Sequence, residues 1–175
     1  LDSAVQALQT LRTPNGRMRI LPGIKASLII DDSYNSSPAA TQQALQALSE
    51  LSHTTRKIAV LGDMLELGKF SSDEHRKIGK VVADTADVLF TIGVRAKGIA
   101  DGALAAGMSE KHIFQYDDTA KAKLELQGLM APGDAVLIKA SQGVRAERVV
   151  EEIMAEPERA EELLVRQDKT WKGIA

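Results

Sequence analysis

The sequence predicts an α/β protein with a doubly wound, Rossmann-like sheet that is mostly parallel, has about six strands and carries helices on both faces. First, short aliphatic or β-branched runs alternate with longer amphipathic segments along the 175 residues. Second, the intervening segments are long enough to form right-handed helical crossovers, which join parallel strands. Third, a further short run at residues 17–21 is joined to the next run by Pro22-Gly23, which predicts one antiparallel edge strand.

The main strands are predicted from short runs rich in Val, Ile and Leu that end at glycine or at polar residues. In chain order they are Ser27–Asp32, Lys57–Gly62, Val88–Ile92, residues 112–116 and Ala135–Lys139.

Helices are predicted between these strands. The helix at residues 38–51 has Ser37 at its N-cap, Pro38 at its first position and one apolar stripe. The next helix is predicted to open at Ser71, which has capping-box spacing to Glu74. Further helices are predicted at residues 2–11, 95–106, 119–130 and 145–154, and a charged helix at residues 156–166.

The composition excludes several classes of protein. The 22 Lys and Arg nearly balance the 24 Asp and Glu, and a net charge of -2 gives no general attraction for nucleic acid or anionic membranes. The absence of cysteine excludes a disulfide scaffold and thiolate metal sites. No apolar run has membrane-spanning length and no signal-peptide pattern is present, so we expect one compact, cytoplasmic domain.

Polar residues follow several predicted strands at the sheet edge where ligands gather in such folds. The first long strand ends in Asp31 and Asp32, with Tyr34 and Asn35 in the turn behind them. A carboxylate there can accept hydrogen bonds from a ribose diol, and the turn residues can stack on or hydrogen-bond a base. The alternative is that Asp32 and Ser33 only form an Asx-type turn that caps the next helix, and the residues alone leave both interpretations open.

Other motifs of nucleotide and metal binding are missing from the sequence. No Gly-x-x-x-x-Gly-Lys-Ser/Thr loop and no Gly-x-Gly-x-x-Gly pattern is present, so the chain is not expected to cradle a triphosphate alone. His53, His75 and His112 lack metal-ligand spacing and are interpreted as surface or capping residues. No metal ligands are therefore predicted in this chain.

Three blocks of sequence carry a resemblance to a known family. Residues 16–19, 30–38 and 58–68 resemble the carboxy-terminal domain of the Mur ligases, and the similarity spans nearly the whole chain. The Asp-Asp-Ser-Tyr-Asn and Gly-Asp-Met-Leu-Glu-Leu-Gly motifs in these blocks are specific. The second motif resembles the branch of the family that adds D-alanyl-D-alanine.

The resemblance implies that residues 1–175 are the last domain of a three-domain, ATP-dependent ligase, excised from the rest. Such an enzyme joins D-alanyl-D-alanine to UDP-N-acetylmuramoyl-tripeptide through an acyl phosphate. Its amino-terminal domain holds the UDP-sugar, and its central domain supplies the P-loop and the Mg²⁺ ligands. The implied cofactors are ATP and Mg²⁺, the implied partners are the two substrates and the two other domains, and the enzyme is expected to act as a monomer. This chain alone is expected to be inactive.

The same resemblance implies a role for several residues at the nucleotide. Asp32 would face the ribose hydroxyls, Tyr34 and Asn35 would lie against the nucleotide, and Asp31 is the more ambiguous carboxylate. Arg17 would reach the terminal phosphate, where a planar guanidinium can neutralise developing charge. Without the resemblance, Arg17 would be interpreted as an exposed arginine on an edge strand.

A second set of residues is implied at the site of the incoming dipeptide. Segment 139–142 resembles the family's Lys-Gly-Ser-Arg motif with Lys139 and Ser141 at matching positions, although alanine and glutamine replace the glycine and the arginine. Either Lys139 or the start of the helix at Arg145 would hold the dipeptide carboxylate. Gly93 could line the same crevice or serve only as a turn residue.

Two alternative functions remain. Another Mur-type ligase, such as a folylpolyglutamate-forming enzyme, would use the same third-domain fold. A signalling receiver module would also be doubly wound, with an acidic pair such as Asp31 and Asp32 and a lysine such as Lys139. A receiver needs an aspartate at the end of its third strand, however, and Val88–Ile92 is followed by Gly93.

Overall fold

The computed structural model describes residues 13–173, so the helix predicted at residues 2–11 lies outside the described part of the chain. Six strands form one sheet in the order β1-β2-β6-β3-β4-β5. They are β1 (Arg19–Gly23), β2 (Ser27–Asp32), β3 (Lys57–Gly62), β4 (Val88–Ile92), β5 (Ile113–Tyr116) and β6 (Ala135–Lys139). Strand β1 pairs antiparallel with β2, and the other neighbours pair in parallel. The predicted fold class is confirmed.

Helices connect these strands as the alternating pattern predicts. They are α1 (Pro38–Glu50), α2 (Ser71–Thr85), α3 (Lys97–Ala105), α4 (Thr119–Leu129), α5 (Glu147–Ile153), α6 (Ala160–Leu163) and α7 (Lys169–Lys172). Ser37 caps α1 by accepting a hydrogen bond from the backbone N–H of Ala40 at 3.4 Å, and Pro38 takes the first helical position as predicted. Among residues 13–173, no helix is both long and apolar enough to cross a membrane.

The sheet separates two hydrophobic cores, since successive side chains of a strand point to opposite faces. On one face, the core contains Leu45 of α1, Ile78 of α2 and Ile99 of α3. On the other face, it contains Leu126 of α4 and Val150 of α5. Within residues 13–173, the two four-residue α-helices α6 and α7 follow α5, and the five longer α-helices cover both faces of the sheet.

Helices α2 and α3 approach each other unusually closely through glycines. A Cβ atom at Gly79 would collide with the carbonyl oxygen of Ile99 and lie 2.7 Å from the backbone nitrogen of Ala103. A Cβ atom at Gly102 would collide in the same way with the carbonyl oxygen of Arg76. Both neighbours are backbone atoms that cannot turn aside, so this contact depends on the missing side chains.

The capping box predicted at Ser71 is wrong. A 3₁₀ turn, Gly68–Phe70, leads directly into α2, and the backbone N–H of Ser71 donates to the carbonyl of Gly68. No side chain caps the start of α2. The preceding turn already supplies a carbonyl acceptor, so the side chain of Ser71 is not needed there.

The single charged helix predicted at residues 156–166 is also wrong. The chain forms a 3₁₀ turn, Pro157–Arg159, and the four-residue α6, and then becomes extended at Leu164 with φ -111° and ψ 161°. Leu163 and Leu164 are both buried in the core beside α5. The helix predicted from residue 145 likewise begins later, at Glu147, because Arg145 adopts a left-handed backbone conformation with φ 63°.

Candidate functional site

The carboxyl ends of β2 and β6 meet at one edge of the sheet and form the wall of a cavity of about 380 Å³. The two strands pair in parallel, with Asp32 opposite Lys139. At this point the chain leaves β2 toward α1 on one face and leaves β6 toward α5 on the other, which opens a crevice between the strand ends. The cavity is lined by Gly16, Arg17, Met18, Asp32, Tyr34, Asn35, Ser36, Ser37, Ala40, Gln43, Ala44 and Lys139.

A buried ion pair forms the floor of this cavity. The carboxylate of Asp32 lies 2.5 Å from the Nζ atom of Lys139, and it also accepts a hydrogen bond from the backbone N–H of Met18 at 3.1 Å. Lys139 donates a second hydrogen bond to the carbonyl oxygen of Asn35 at 2.9 Å. Only 3% of the lysine side chain is exposed. The pair therefore connects the chain before β1, the end of β2 and the end of β6.

Arg17 and Tyr34 form the outer wall of the cavity. The guanidinium carbon of Arg17 lies 4.3 Å from the centroid of the Tyr34 ring, a cation–π geometry. Tyr34 donates its backbone N–H to the carbonyl of Gly16 at 3.0 Å. Gly16 has φ 68°, and a Cβ atom there would lie 3.1 Å from the Tyr34 nitrogen, so glycine allows this close approach. Within residues 13–173 Arg17 forms no ion pair, which leaves its charge available to an anionic ligand.

Asp31 lies on the opposite face of the sheet from Asp32 and does not line the cavity. Its side chain is fully buried, and it accepts a hydrogen bond from the backbone N–H of Ser33 at 3.1 Å. The Asx-type turn considered at Asp32 is thus made by Asp31. Its second carboxylate oxygen has no hydrogen-bond partner among the described residues. Burial without a cation raises the pKa of the Asp31 carboxyl above its usual range.

A second cavity, of about 350 Å³, lies beside the ends of β3 and β4 and includes Gly93 and Arg145. Gly93 has φ 109°, and a Cβ atom there would lie 2.5 Å from the carboxylate of Asp63. That carboxylate is held by the backbone N–H of Ala96 at 2.7 Å and by the exposed Arg95 at 3.5 Å. Gly93 therefore does more than end a strand, because its missing side chain makes room for Asp63.

Ser141 lies between the two cavities and is buried. Its hydroxyl accepts a hydrogen bond from the backbone N–H of Leu65 at 2.9 Å and lies 3.5 Å from the carbonyl oxygen of Ser36. Arg145 is turned toward the protein instead, since its Nε lies 2.6 Å from Glu147 and its Nη1 donates to the carbonyl of Trp171 at 2.8 Å. The structure thus groups Arg17, Asp32, Tyr34, Asn35 and Lys139 at the first cavity, and Gly93 and Arg145 at the second.

Two residues that support these cavities were not identified from the sequence. His75, interpreted as a surface or capping residue, is fully buried. Its Nε2 accepts from the backbone N–H of Met64 at 3.0 Å, and its Nδ1 lies 2.7 Å from the carbonyl of Ser71, which holds the turn after β3. Arg166 donates to the carbonyl of Tyr34, 132 residues away in sequence, so no local pattern could indicate it.

No group of three or more acidic, histidine or cysteine side chains within the described chain could hold a metal ion. The polar groups of the first cavity fit a nucleotide better. They supply an aromatic face at Tyr34, a cation at Arg17 and a carboxylate at Asp32. These are groups that contact a base, a phosphate and a ribose, respectively.

Comparisons with known proteins find a matching family model and several relatives. The family model described as "Mur ligase, glutamate ligase domain" matches residues 16–142. The UDP-N-acetylmuramoyl-tripeptide--D-alanyl-D-alanine ligase of Bacillus subtilis is 31% identical over 157 residues, which are 89% of this chain and 34% of that protein. The enzyme of the same name from Mycobacterium leprae is 33% identical over 82% of this chain and 31% of its own length. The chain therefore spans about a third of the length of the curated relatives it matches.

Solved structures show the same similarity in three dimensions. The MurF ligase of Thermotoga maritima, in complex with ADP, matches 91% of this chain and 36% of its own with 30% identity and a TM-score of 0.68. MurF from Acinetobacter baumannii matches 86% of this chain and 33% of its own with 26% identity and a TM-score of 0.74. A bifunctional folylpolyglutamate synthase/dihydrofolate synthase shares the fold at 18% identity and a TM-score of 0.58.

Proposed function

Because this chain belongs to the Mur ligase family through its glutamate ligase domain, we propose that it is the third domain of an ATP-dependent ligase of peptidoglycan precursor synthesis. The proposed reaction joins D-alanyl-D-alanine to UDP-N-acetylmuramoyl-tripeptide, the reaction named for the Bacillus subtilis relative. The other two domains would precede it in a longer, monomeric, cytoplasmic polypeptide and would supply the phosphate-binding loop and the Mg²⁺ ligands.

The observation that carries this proposal is the cavity at the ends of β2 and β6, where Arg17, Asp32 and Tyr34 share one rim. ATP, when bound, would supply the phosphoryl group that activates the carboxylate of the tripeptide. In this chain, the Asp32 carboxylate would accept from the ribose hydroxyls and the Tyr34 ring would face the nucleotide. Arg17 would direct its guanidinium to the phosphates, whose charge it can neutralise through paired N–H donors.

The buried ion pair gives the Asp32 carboxylate its orientation. One of its oxygens accepts from Met18 and the other from Lys139. Lone pairs remain on both oxygens, since a carboxylate offers about four acceptor positions. Lys139, predicted at the dipeptide site, would therefore act mainly by holding Asp32 and the Asn35 turn in place, and its reach toward the dipeptide would be indirect.

The second cavity is our candidate for the dipeptide. It lies one strand away from the nucleotide cavity, and the Ser141 hydroxyl holds the turn between them through Leu65. Gly93 shapes its floor. The two reactants of one transfer must meet, so domain closure would have to bring a dipeptide there to the phosphate end of the nucleotide. Closure of the three domains would then exclude water from both.

The alternative ligases are less well supported. The folylpolyglutamate synthase neighbour is similar in fold alone, at 18% identity, whereas the sequence relatives at 30% identity and above carry the D-alanyl-D-alanine ligase name. A receiver module would need a phosphorylatable aspartate at the end of β4, where Gly93 follows Ile92.

Substitution of Arg17 in the full-length polypeptide tests the proposed function. We expect Arg17→Ala to lower kcat/KM for ATP at least about a hundredfold, because guanidinium contacts to a transferring phosphoryl group are worth 10³ or more elsewhere. Arg17→Lys should recover part of the loss. The matched control is Arg76→Ala on α2, whose side chain is 60% exposed and lies outside both cavities. Wild-type ligation kinetics in Arg17→Ala would contradict the proposal.

A further inference from the structure

The last part of the chain, residues 160–172, crosses the sheet edge behind the nucleotide cavity. We name this segment the C-terminal strap. It lies beyond residues 16–142, which the family model matches. Leu163 and Leu164 anchor the strap in the core, and Trp171, the only tryptophan of the chain, lies near its end.

Arg166 of the strap is bound to the back of the turn that carries Tyr34. One of its terminal nitrogens donates to the carbonyl of Tyr34 at 2.5 Å, and the other lies 3.2 Å from the carbonyl of Ser33. Its side chain is only 5% exposed. These two carbonyls are adjacent along the chain, so the planar fork of one guanidinium fixes the path of the backbone between them.

Arg166 also forms a buried ion pair. Its guanidinium lies 3.1 Å from Glu147, whose side chain is 1% exposed and also pairs with Arg145 at 2.6 Å. Trp171 covers both arginines, with ring-centroid distances of 5.2 Å to Arg145 and 5.6 Å to Arg166. A network that is this buried and this fully bonded fixes the position of Arg166 firmly.

The strap also holds the loop before β1, which carries Arg17. Asn15, two residues before Arg17, donates to the carbonyls of Glu162 at 2.9 Å and Leu164 at 3.3 Å. The Tyr34 ring lies between two guanidinium groups, with Arg17 at 4.3 Å and Arg166 at 5.5 Å from its centroid. Both residues of the outer wall therefore depend on contacts with residues 160–172.

We propose that Arg166 is a positioning residue for nucleotide binding, which acts by fixing the Tyr34 turn and, through the Tyr34 ring, the guanidinium of Arg17. This inference rests on the proposed function of the first cavity. Arg166 itself faces the protein and need not touch the nucleotide. It sets the affinity for ATP and leaves the chemistry of the bound complex largely to other groups.

The test compares Arg166→Ala, Arg166→Lys and Arg159→Ala in the full-length polypeptide. We expect Arg166→Ala to raise the KM for ATP about tenfold with a smaller change in kcat and no change in the KM for the dipeptide. Arg166→Lys keeps the charge beside Glu147 but loses the paired donors, so it should lie between wild type and alanine. The matched control is Arg159→Ala, because Arg159 lies just before the strap and pairs with the exposed side chains of Glu156 and Glu162.

A double variant separates positioning from general destabilisation. If Arg166 acts through Arg17, then Arg166→Ala should add much less than tenfold to the KM for ATP in an Arg17→Ala background. The inference would be overturned by full additivity, by equal changes in every kinetic constant, or by a KM for ATP that is unchanged in both Arg166 variants. If Arg166→Ala does not fold, Arg166→Lys alone decides the question. Failure of the proposed function would look different, since Arg17→Ala would then also leave the KM for ATP unchanged.

Discussion

Two adjacent carboxylates, Asp31 and Asp32, show how strongly position within a strand determines chemistry. Their side chains point to opposite faces of the sheet, because successive residues of a strand alternate. Asp32 meets a buried lysine and the cavity, whereas Asp31 is fully buried with one oxygen unpartnered among the described residues. The first therefore forms an ion pair, whereas the pKa of the second is raised by burial.

Removal of Asp32 should destabilise the chain through the lysine that it leaves behind. We expect Asp32→Ala to lower the free energy of unfolding by about 3–5 kcal/mol, because an unpaired charge would remain in the interior. The double variant Asp32→Ala/Lys139→Met should be more stable than Asp32→Ala alone. Urea unfolding of this chain measures both. A double variant that is less stable than the single one would contradict this account of the pair.

The raised pKa of Asp31 predicts a specific dependence of stability on pH. The folded state holds this proton more tightly than the unfolded chain, so the contribution of Asp31 is fully present below about pH 4 and is lost as the pH rises through its folded pKa. As the pH rises through the folded pKa of Asp31, we expect the free energy of unfolding of wild type to fall relative to that of Asp31→Asn. Urea midpoints from pH 4 to 8 test this, with the exposed Asp84→Asn as control. Parallel curves for wild type and Asp31→Asn would contradict it.

Part of the candidate site could be predicted from the sequence, and the reason is geometric. Asp32 and Lys139 end parallel strands, and such ends share one edge of a sheet, so their proximity follows from the predicted fold. Their separate roles do not follow from the predicted fold, because the 2.5 Å contact between Asp32 and Lys139 depends on the register of β2 and β6. Arg166 reaches the Tyr34 turn only through the path of the chain after α5, which no local pattern specifies.

A strand or helix could be predicted from the sequence where a single local pattern determined it. Four strands begin and end as predicted, since polar residues on both sides of an aliphatic run leave little choice for the ends of the strand. The charges of segment 156–166 indicate a solvated helix, whereas the structure buries Leu163 at the end of α6 and Leu164 in the extended chain that follows. A tertiary contact overrode local propensity there.

The packing of α2 against α3 gives a prediction at the level of elements. Gly79→Ala should lower the free energy of unfolding by about 1–3 kcal/mol, because the added methyl group meets backbone atoms of α3 and forces the helices apart. Gly128→Ala is the matched control in α4, since nothing lies within 4 Å of its Cβ position. That change should instead stabilise the chain by about 0.5–1 kcal/mol. Thermal unfolding measures both, and equal effects would refute the packing argument.

At the scale of the whole molecule, the open first cavity leads to a prediction for the isolated chain. The side chains of Arg17, Tyr34 and Asn35 at the first cavity are exposed, and the sequence contains no phosphate-cradling loop. We therefore expect the 175-residue chain to fold, to bind ATP weakly and to show no ligation. Titration calorimetry and a phosphate-release assay test these statements. Phosphate release at an enzyme-like rate would refute the assignment as one domain of a larger ligase.

The placement of β6 between β2 and β3 has a consequence for biosynthesis. Leu28 pairs with Ala135, so the central hydrogen bonds of the sheet join residues more than a hundred positions apart. A nascent chain emerging from the ribosome can assemble β3, β4 and β5 early, but β2 must wait for β6 before it gains its inner neighbour. Long-range pairing of this kind slows folding. A chain that terminates before residue 135 would thus leave one edge of β2 and one edge of β3 unpaired, and chaperones and proteases would act on such a chain.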